Sequence, residues 1–169
     1  KQQLLLCFLV IFFLLYHFVR SKYENTELVF VAHDTEAYEV NEDQFFKRGS
    51  GGGTIVSSGL SMVNNIMMKR YHPDNWNVYV FQCTDGDNWP GDNENVASLL
   101  QTMKPRCQLF GYCEVDPEED RLKWSHDESE LTKLYKNLQD SNCKAVTLSL
   151  PQDIWPAFKT FFGGNLANV

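Results

Sequence analysis

Apolar positions along the chain follow two rhythms. Leu28–Ala32 (LVFVA), Asn77–Cys83 (NVYVFQC), Gln108–Val115 (QLFGYCEV) and Ala145–Leu150 (AVTLSL) are short, β-rich apolar runs bounded by turn residues, the pattern of strands in a covered sheet. LVFVA reads as a strand buried on both faces. Ala37–Val40 is a shorter strand close enough to pair with it as a hairpin. Elsewhere the period is helical. Val56, Leu60, Val63 and Met67, with Ile66 beside them, predict a helix from Ile55 to Arg70 that Pro73 ends. Shorter helices are predicted over Glu94–Lys104 and Ser129–Leu138. A last helix, Gln152–Phe162, carries Ile154, Phe158, Phe161 and Phe162 on its apolar side, with Gly163-Gly164 placed to close it.

Leu4–Val19 (LLLCFLVIFFLLYHFV) is apolar except at His17. As a helix it would be about 24 Å long, short of the roughly 30 Å hydrocarbon layer of a bilayer. No small-residue cleavage site follows it. It therefore reads as a helix buried in the core, with a membrane segment over residues 4–19 as the minority reading.

Strands alternating with helices specify an α/β domain: a mainly parallel sheet joined by right-handed crossovers, with helices on both faces. No repeat or low-complexity linker interrupts the pattern, so residues 1–169 read as a single domain. The chain begins at Lys1 rather than Met, and the expectation is the C-terminal portion of a longer protein.

Composition narrows the function. The 169 residues are 43% apolar and 22% charged, with 15 Lys plus Arg against 22 Asp plus Glu. Such a chain can bury about 70% of its unfolded surface. A net charge of -7, with no basic run longer than Lys69-Arg70, argues against a nucleic-acid partner. The five cysteines (Cys7, Cys83, Cys107, Cys113, Cys143) are irregularly spaced without a Cys-x-x-Cys pair, which suits buried thiols in a reducing compartment.

In parallel α/β sheets ligands bind beyond the carboxyl ends of the strands. The residues there are His33, Asp34 and Glu36; Gly51-Gly52-Gly53-Thr54; Thr84, Asp85 and Asp87; and Glu114 and Asp116. Oxygen ligands on several loops suit a hard cation such as Mg²⁺. Duller readings stand beside this. Thr54 could be a helix cap, and the acids of TDGDNWPGDN could be solvated turn residues. The glycine loop lacks the lysine of a P-loop. Pro90 stands where an EF-hand needs its glycine. His33 and Asp34 point to opposite faces if both lie on a strand. No Ser or Cys nucleophile is visibly paired with a base.

Several blocks in fixed order, KYENTELVFVAHDTEAYEV, EDQFFKRGSGGGTIVSS, YHPDNWNVYVFQCTDGDNW, LFGYCEV, LYKNL and FKTFF, closely resemble the bacterial YhbH/YeaH family, often described as stress-response or sporulation proteins, and most of all its YhbH branch. The resemblance implies a three-layer von Willebrand factor A-like domain with a metal-ion-dependent adhesion site, to which Thr54 and Asp85 correspond. The family more often has Ser where this chain has Thr84. The Asp-x-Ser-x-Ser element and its central strand, expected between LVFVA and NVYVFQC, would precede Lys1. Without them the isolated chain is expected to be poorly soluble or misfolded and to bind Mg²⁺ weakly or not at all.

Gly52, Gly53, Thr84, Asp87, Asn88, Trp89 and His33 are candidates for surrounding the metal or touching a partner. The resemblance also implies a cytoplasmic location and a protein partner, a PrkA-type serine kinase or a SpoVR-type protein. It favours a non-enzymatic, metal-assisted protein-interaction module. The alternative is a metal-dependent phosphoesterase using Asp85, Asp87 and Glu114.

Overall fold

The computed structural model describes residues 2–47, 53–115 and 128–166, and the side chains of 10–47, 53–115 and 128–163. In chain order they form α1 (Gln2–Lys22), β1 (Phe30–His33), β2 (Ala37–Val40), α2 (Glu42–Lys47), α3 (Val56–Arg70), β3 (Tyr79–Thr84), α4 (Asn93–Met103), β4 (Leu109–Val115), α5 (Glu130–Asn137), β5 (Cys143–Leu148) and α6 (Ile154–Leu166). Strands β3, β4 and β5 make a three-stranded parallel sheet in that order, flanked by helices. Strands β1 and β2 make a separate two-stranded sheet. The chain divides into two compact units. One comprises Lys1–Glu27, Phe81–Gly86 and Gly111–Val169, the other Leu28–Val80 and Asp87–Phe110.

The central strand β4 is buried at all seven positions, because a parallel strand with a neighbour on each edge and helices over it meets no water. In the first unit, Phe81 packs its ring against Phe161 and Phe162, and Phe18 of α1 packs against Phe158 and Phe162. The Phe81 ring comes so close to the backbone that a Cβ at Gly111 would lie 2.6 Å from its Cδ1, so this position admits no side chain. Burying Phe158, Phe161 and Phe162 is worth about 1.5–3 kcal/mol each.

Helix α1 forms as expected but is not buried all round. Ile11 and Leu15 are buried, whereas Phe13 is 58% exposed and His17 is exposed beside it. The physical reason is that α6 packs along one side of α1, so among its described side chains, residues 10–22, some meet protein and others do not. Among the described residues no helix is long and apolar enough to cross a membrane.

The other expectations shift in detail. β5 ends at Leu148 rather than Leu150, because the Asp153 carboxylate accepts the N–H groups of Ser149 and Leu150 at 2.9 and 2.8 Å. Helix α6 runs through Gly163-Gly164 to Leu166. Gly86 is the one described residue with positive φ, so neither of those glycines adopts the left-handed turn that would stop the helix.

In the second unit the hairpin is antiparallel, with Phe30 opposite Val40 and His33 opposite Ala37. Its turn is closed by Asp34, whose Oδ1 accepts the Glu36 N–H at 3.0 Å. LVFVA is not buried on both faces: all four β1 residues are half-buried and Leu28 is exposed, since β1 pairs only with β2 among the described residues. Helix α2 had no sequence expectation, although Asn41 and Gln44 form a reciprocal capping box at its start (2.8 and 3.1 Å) and the Asn-x-x-Gln signal is present. Helices α3 and α4 pack together through Val56, Leu60 and Met67 on one and Val96, Leu100 and Met103 on the other. Cys107, Cys113 and Cys143 are buried thiols and Cys83 is a half-buried one.

Candidate functional site

The residues singled out by sequence fall in both units. Gly53, Thr54, Asp87, Asn88, Trp89 and His33 belong to the second, and Thr84 and Asp85 to the first. Gly52, most of the glycine loop and Asp116 lie outside the described residues.

In the second unit the site is built on the start of α3. The first N–H groups of a helix have no partner within it. Here they are met from over 30 residues away: Val56 N–H donates to Asn88 Oδ1 at 3.0 Å, and Ser57 N–H to Asp92 Oδ2 at 2.9 Å. Thr54 is therefore not the cap; Ile55 holds the capping position without a side-chain bond. The Thr54 carbonyl instead accepts the Trp89 N–H at 3.0 Å. Its half-buried hydroxyl makes no hydrogen bond among the described residues. Asn88 is oriented by a second bond, from its Nδ2 to Asn93 Oδ1 at 2.8 Å.

The acidic loop is thus fastened along part of its length and open elsewhere. Asp92 is only 4% exposed, while Trp89 is 68% exposed and Asp87 is exposed. His33 packs its ring on Gly59 of α3, where a Cβ would fall 2.8 Å from Cδ2.

Burial opposes the charge of Asp92, but hydrogen bonds from Ser57, Asn95 and Asn88 outweigh it and hold the carboxyl below its ordinary value. The sign of the consequence follows. A group titrating lower in the folded chain contributes stability above its unfolded pKa of about 3.9, and that contribution is lost as pH falls towards the folded value. Asp92→Ala should cost about 1–2 kcal/mol at neutral pH, the usual loss for a helix cap. Asp92→Asn should flatten the acid limb of a stability–pH curve measured by urea unfolding between about pH 2 and 7. An unchanged acid limb in the Asn variant would contradict this role.

In the first unit β3 delivers Thr84, buried, and Asp85, exposed, at its carboxyl end. The Thr84 hydroxyl accepts the Gly86 N–H at 3.2 Å. Gly86 turns the chain with φ +88°, and a Cβ there would lie 2.8 Å from the Glu114 carboxyl carbon. Glu114 is 4% exposed. Its Oε2 accepts the hydroxyls of Tyr112 (2.8 Å), Thr132 (2.7 Å) and Ser129. Ser129 in turn caps α5 by accepting the Thr132 N–H at 2.9 Å. Tyr112 stacks on Tyr135 with ring centroids 3.9 Å apart, and Tyr135 donates its hydroxyl to Gln82 Oε1. Burial, then the charge of Glu114, pushes the Tyr112 phenol far above its usual range. Tyr112 is accordingly a permanent donor that neutralises nothing but satisfies the carboxylate.

The structural duty of Asp92 was not anticipated from sequence. The available signal was an acid at the head of a helical run, but its partner across 35 residues leaves no local trace. Glu114 was visible as a lone acid in an apolar strand; its three hydroxyl partners were not.

Among the described residues no three His, Cys, Asp or Glu side chains are grouped to hold a metal ion. Thr54 and Asp85 carry a hydroxyl and an exposed carboxylate. As hard oxygen donors they fit part of a Mg²⁺ coordination shell and not a soft-metal site.

The family described as "Protein of unknown function (DUF444)" matches residues 9–165. A UPF0229 protein of Ruminiclostridium cellulolyticum is 41% identical over 148 residues, 88% of this chain and 36% of that protein. One from Bacillus cereus is 37% identical over 151 residues, 89% of this chain and 37% of that protein. One from Legionella pneumophila is 41% identical over 152 residues, 89% of this chain and 35% of that protein. The chain spans just over a third of the length of these curated relatives.

Proposed function

Since the chain belongs to the DUF444 family, we propose that it is a von Willebrand A-like, three-layer module that binds a protein partner with the help of a divalent cation. The proposed setting is a bacterial stress-response or sporulation pathway in the cytoplasm, with a PrkA-type serine kinase or a SpoVR-type protein as partner. The observation that carries the reading is the fastening of the loop that follows Asp85. Trp89 and Asn88 are tied to Thr54 and Val56 at 3.0 Å each. Both ties lie within the second unit and fix the segment that follows Asp85 in sequence to the start of α3.

Thr54 and Asp85 would hold the cation, with Thr84 supporting the turn behind Asp85. A bound Mg²⁺ would supply an open coordination position for a partner's carboxylate. The protein's own residues do the rest. Asn88 and Asp92 hold the loop rigid, and Trp89 offers an exposed aromatic surface of the kind enriched at binding hot spots. A phosphoesterase using Asp85, Asp87 and Glu114 has less support, because Glu114 Oε2 is already shared by three hydroxyls.

The test is calorimetric Mg²⁺ titration of the full-length protein, followed by its affinity for the PrkA-type kinase with Mg²⁺ and with EDTA. Thr54→Ala and Asp85→Ala should each weaken Mg²⁺ binding at least tenfold, and EDTA should abolish kinase binding. Unchanged metal affinity in both variants would refute the site. Phosphatase turnover lost in Asp85→Ala would favour the enzyme.

A further inference from the structure

The Glu114 carboxylate packs against the turn that carries Asp85, within the first unit. Three observations join them. First, the approach is close and faces the carboxyl group. A Cβ at Gly86 would lie 2.8 Å from both the carboxyl carbon and Oε2 of Glu114, and 3.2 Å from Oε1. Near-equal distances to three atoms of one plane put Gly86 over the face of the group, so the in-plane lone pairs stay available to hydroxyl donors. Second, the carboxyl group is held in place. Its Oε2 accepts the hydroxyls of Tyr112 at 2.8 Å, Thr132 at 2.7 Å and Ser129, and Tyr112 is itself stacked on Tyr135. Third, the turn is tight: the Gly86 N–H donates to the Thr84 hydroxyl at 3.2 Å, with φ +88° at Gly86. A shift at Gly86 therefore passes directly to its neighbour Asp85, which is exposed. Burying a carboxylate costs desolvation that an apolar side chain in β4 would avoid. What the carboxylate supplies is one fixed acceptor joining the end of β3, β4 and the start of α5.

We propose that Glu114 is a positioning residue for the cation site: it fixes the turn that presents Asp85 and links that turn to the start of α5. The inference rests on the metal-assisted reading above and deepens it. With Oε2 taken by three hydroxyls and Gly86 over its face, Glu114 acts through Asp85 and not as a ligand. Ser129 and Thr132 hang on the same oxygen, and Ser129 caps α5 by accepting the Thr132 N–H at 2.9 Å. Order in the Asp85 turn and order at the start of α5 thus share one support. Cation binding that steadies the turn steadies α5 as well, and the coupling is reciprocal: loosening the α5 cap weakens the cation site.

The test uses the full-length protein, metal-free and with MgCl₂, at a temperature where circular dichroism shows every variant folded. Mg²⁺ affinity is read by titration calorimetry and local order by amide hydrogen exchange. Glu114→Ala should weaken Mg²⁺ binding at least tenfold. Glu114→Gln, which keeps the shape, should return it to within threefold of the wild type. Tyr112→Phe keeps the ring and removes one of the three hydroxyls; it should weaken binding threefold, and it carries the test if the alanine variant does not fold. Without metal, the Gly86 amide should exchange at least fivefold faster in Tyr112→Phe than in the wild type. Mg²⁺ should slow exchange of the Thr132 amide at least fivefold in the wild type and leave it unchanged in Glu114→Ala. Wild-type Mg²⁺ affinity in both Glu114→Ala and Tyr112→Phe would overturn the positioning role while leaving Asp85 as a ligand. So would Mg²⁺ protection of Thr132 that persists in Glu114→Ala. Failure of Glu114→Gln to restore binding would overturn it too, because the charge rather than the support would then be what matters. Absence of Mg²⁺ binding in the wild type would instead defeat the metal-assisted reading, and this inference with it.

Discussion

Glu114→Ala is expected to destabilise the protein by about 2–5 kcal/mol, from the buried hydroxyls it leaves unmet and the cavity it opens. The carboxylate is nearly inaccessible and is the common acceptor for Tyr112, Ser129 and Thr132. Its removal strands buried hydroxyls, each costing about 1–3 kcal/mol if left unmet, and leaves a cavity. Glu114→Gln keeps an acceptor of the same shape and should cost about 1–2 kcal/mol, nearer the net worth of hydrogen bonds to a charged group. Because Ser129 both donates to Glu114 and caps α5, amide exchange in α5 should accelerate more than elsewhere. Urea unfolding with hydrogen exchange checks both expectations. A loss below about 1 kcal/mol in the alanine variant would mean that water replaces the carboxylate.

Gly86→Ala is expected to cost about 2–4 kcal/mol, from two separate sources. A non-glycine residue at φ +88° pays about 1–2 kcal/mol for the left-handed conformation. The new Cβ would also meet the Glu114 carboxyl at 2.8 Å, where the side chain is immobilised by its hydroxyl partners and cannot yield cheaply; overpacking of that kind costs about 1–3 kcal/mol. The two sources separate in a double-mutant cycle. In the Glu114→Ala background the steric part disappears, so Gly86→Ala should be less costly there, by at least about 1 kcal/mol. Additive effects would show that the backbone alone demands glycine. This turn carries Asp85, so Gly86→Ala should also weaken any Mg²⁺ binding that depends on the loop.

The match between sequence and structure depends on how local the deciding interaction is. Periodicity determined the α3 helix, the three strands β3 to β5, the hairpin of β1 with β2, and the parallel α/β layout. In each case a stretch of about 4–15 residues shows its buried face through its own spacing. Composition determined the buried thiols in the same way. Tertiary structure alone decided the rest. Helix α1 has one apolar sequence on every side, and only the position of α6 chose Ile11 and Leu15 for burial while leaving Phe13 in water. The start of α3 is capped by Asn88 and Asp92 rather than by its own Thr54, because an unpaired helix N–H bonds whichever acceptor the fold delivers. Glu114 became a structural anchor because three hydroxyls from β4 and the start of α5 converge on it. A sequence pattern records which face of an element is buried; which distant side chain arrives there to complete a hydrogen bond depends on the packing of the folded chain.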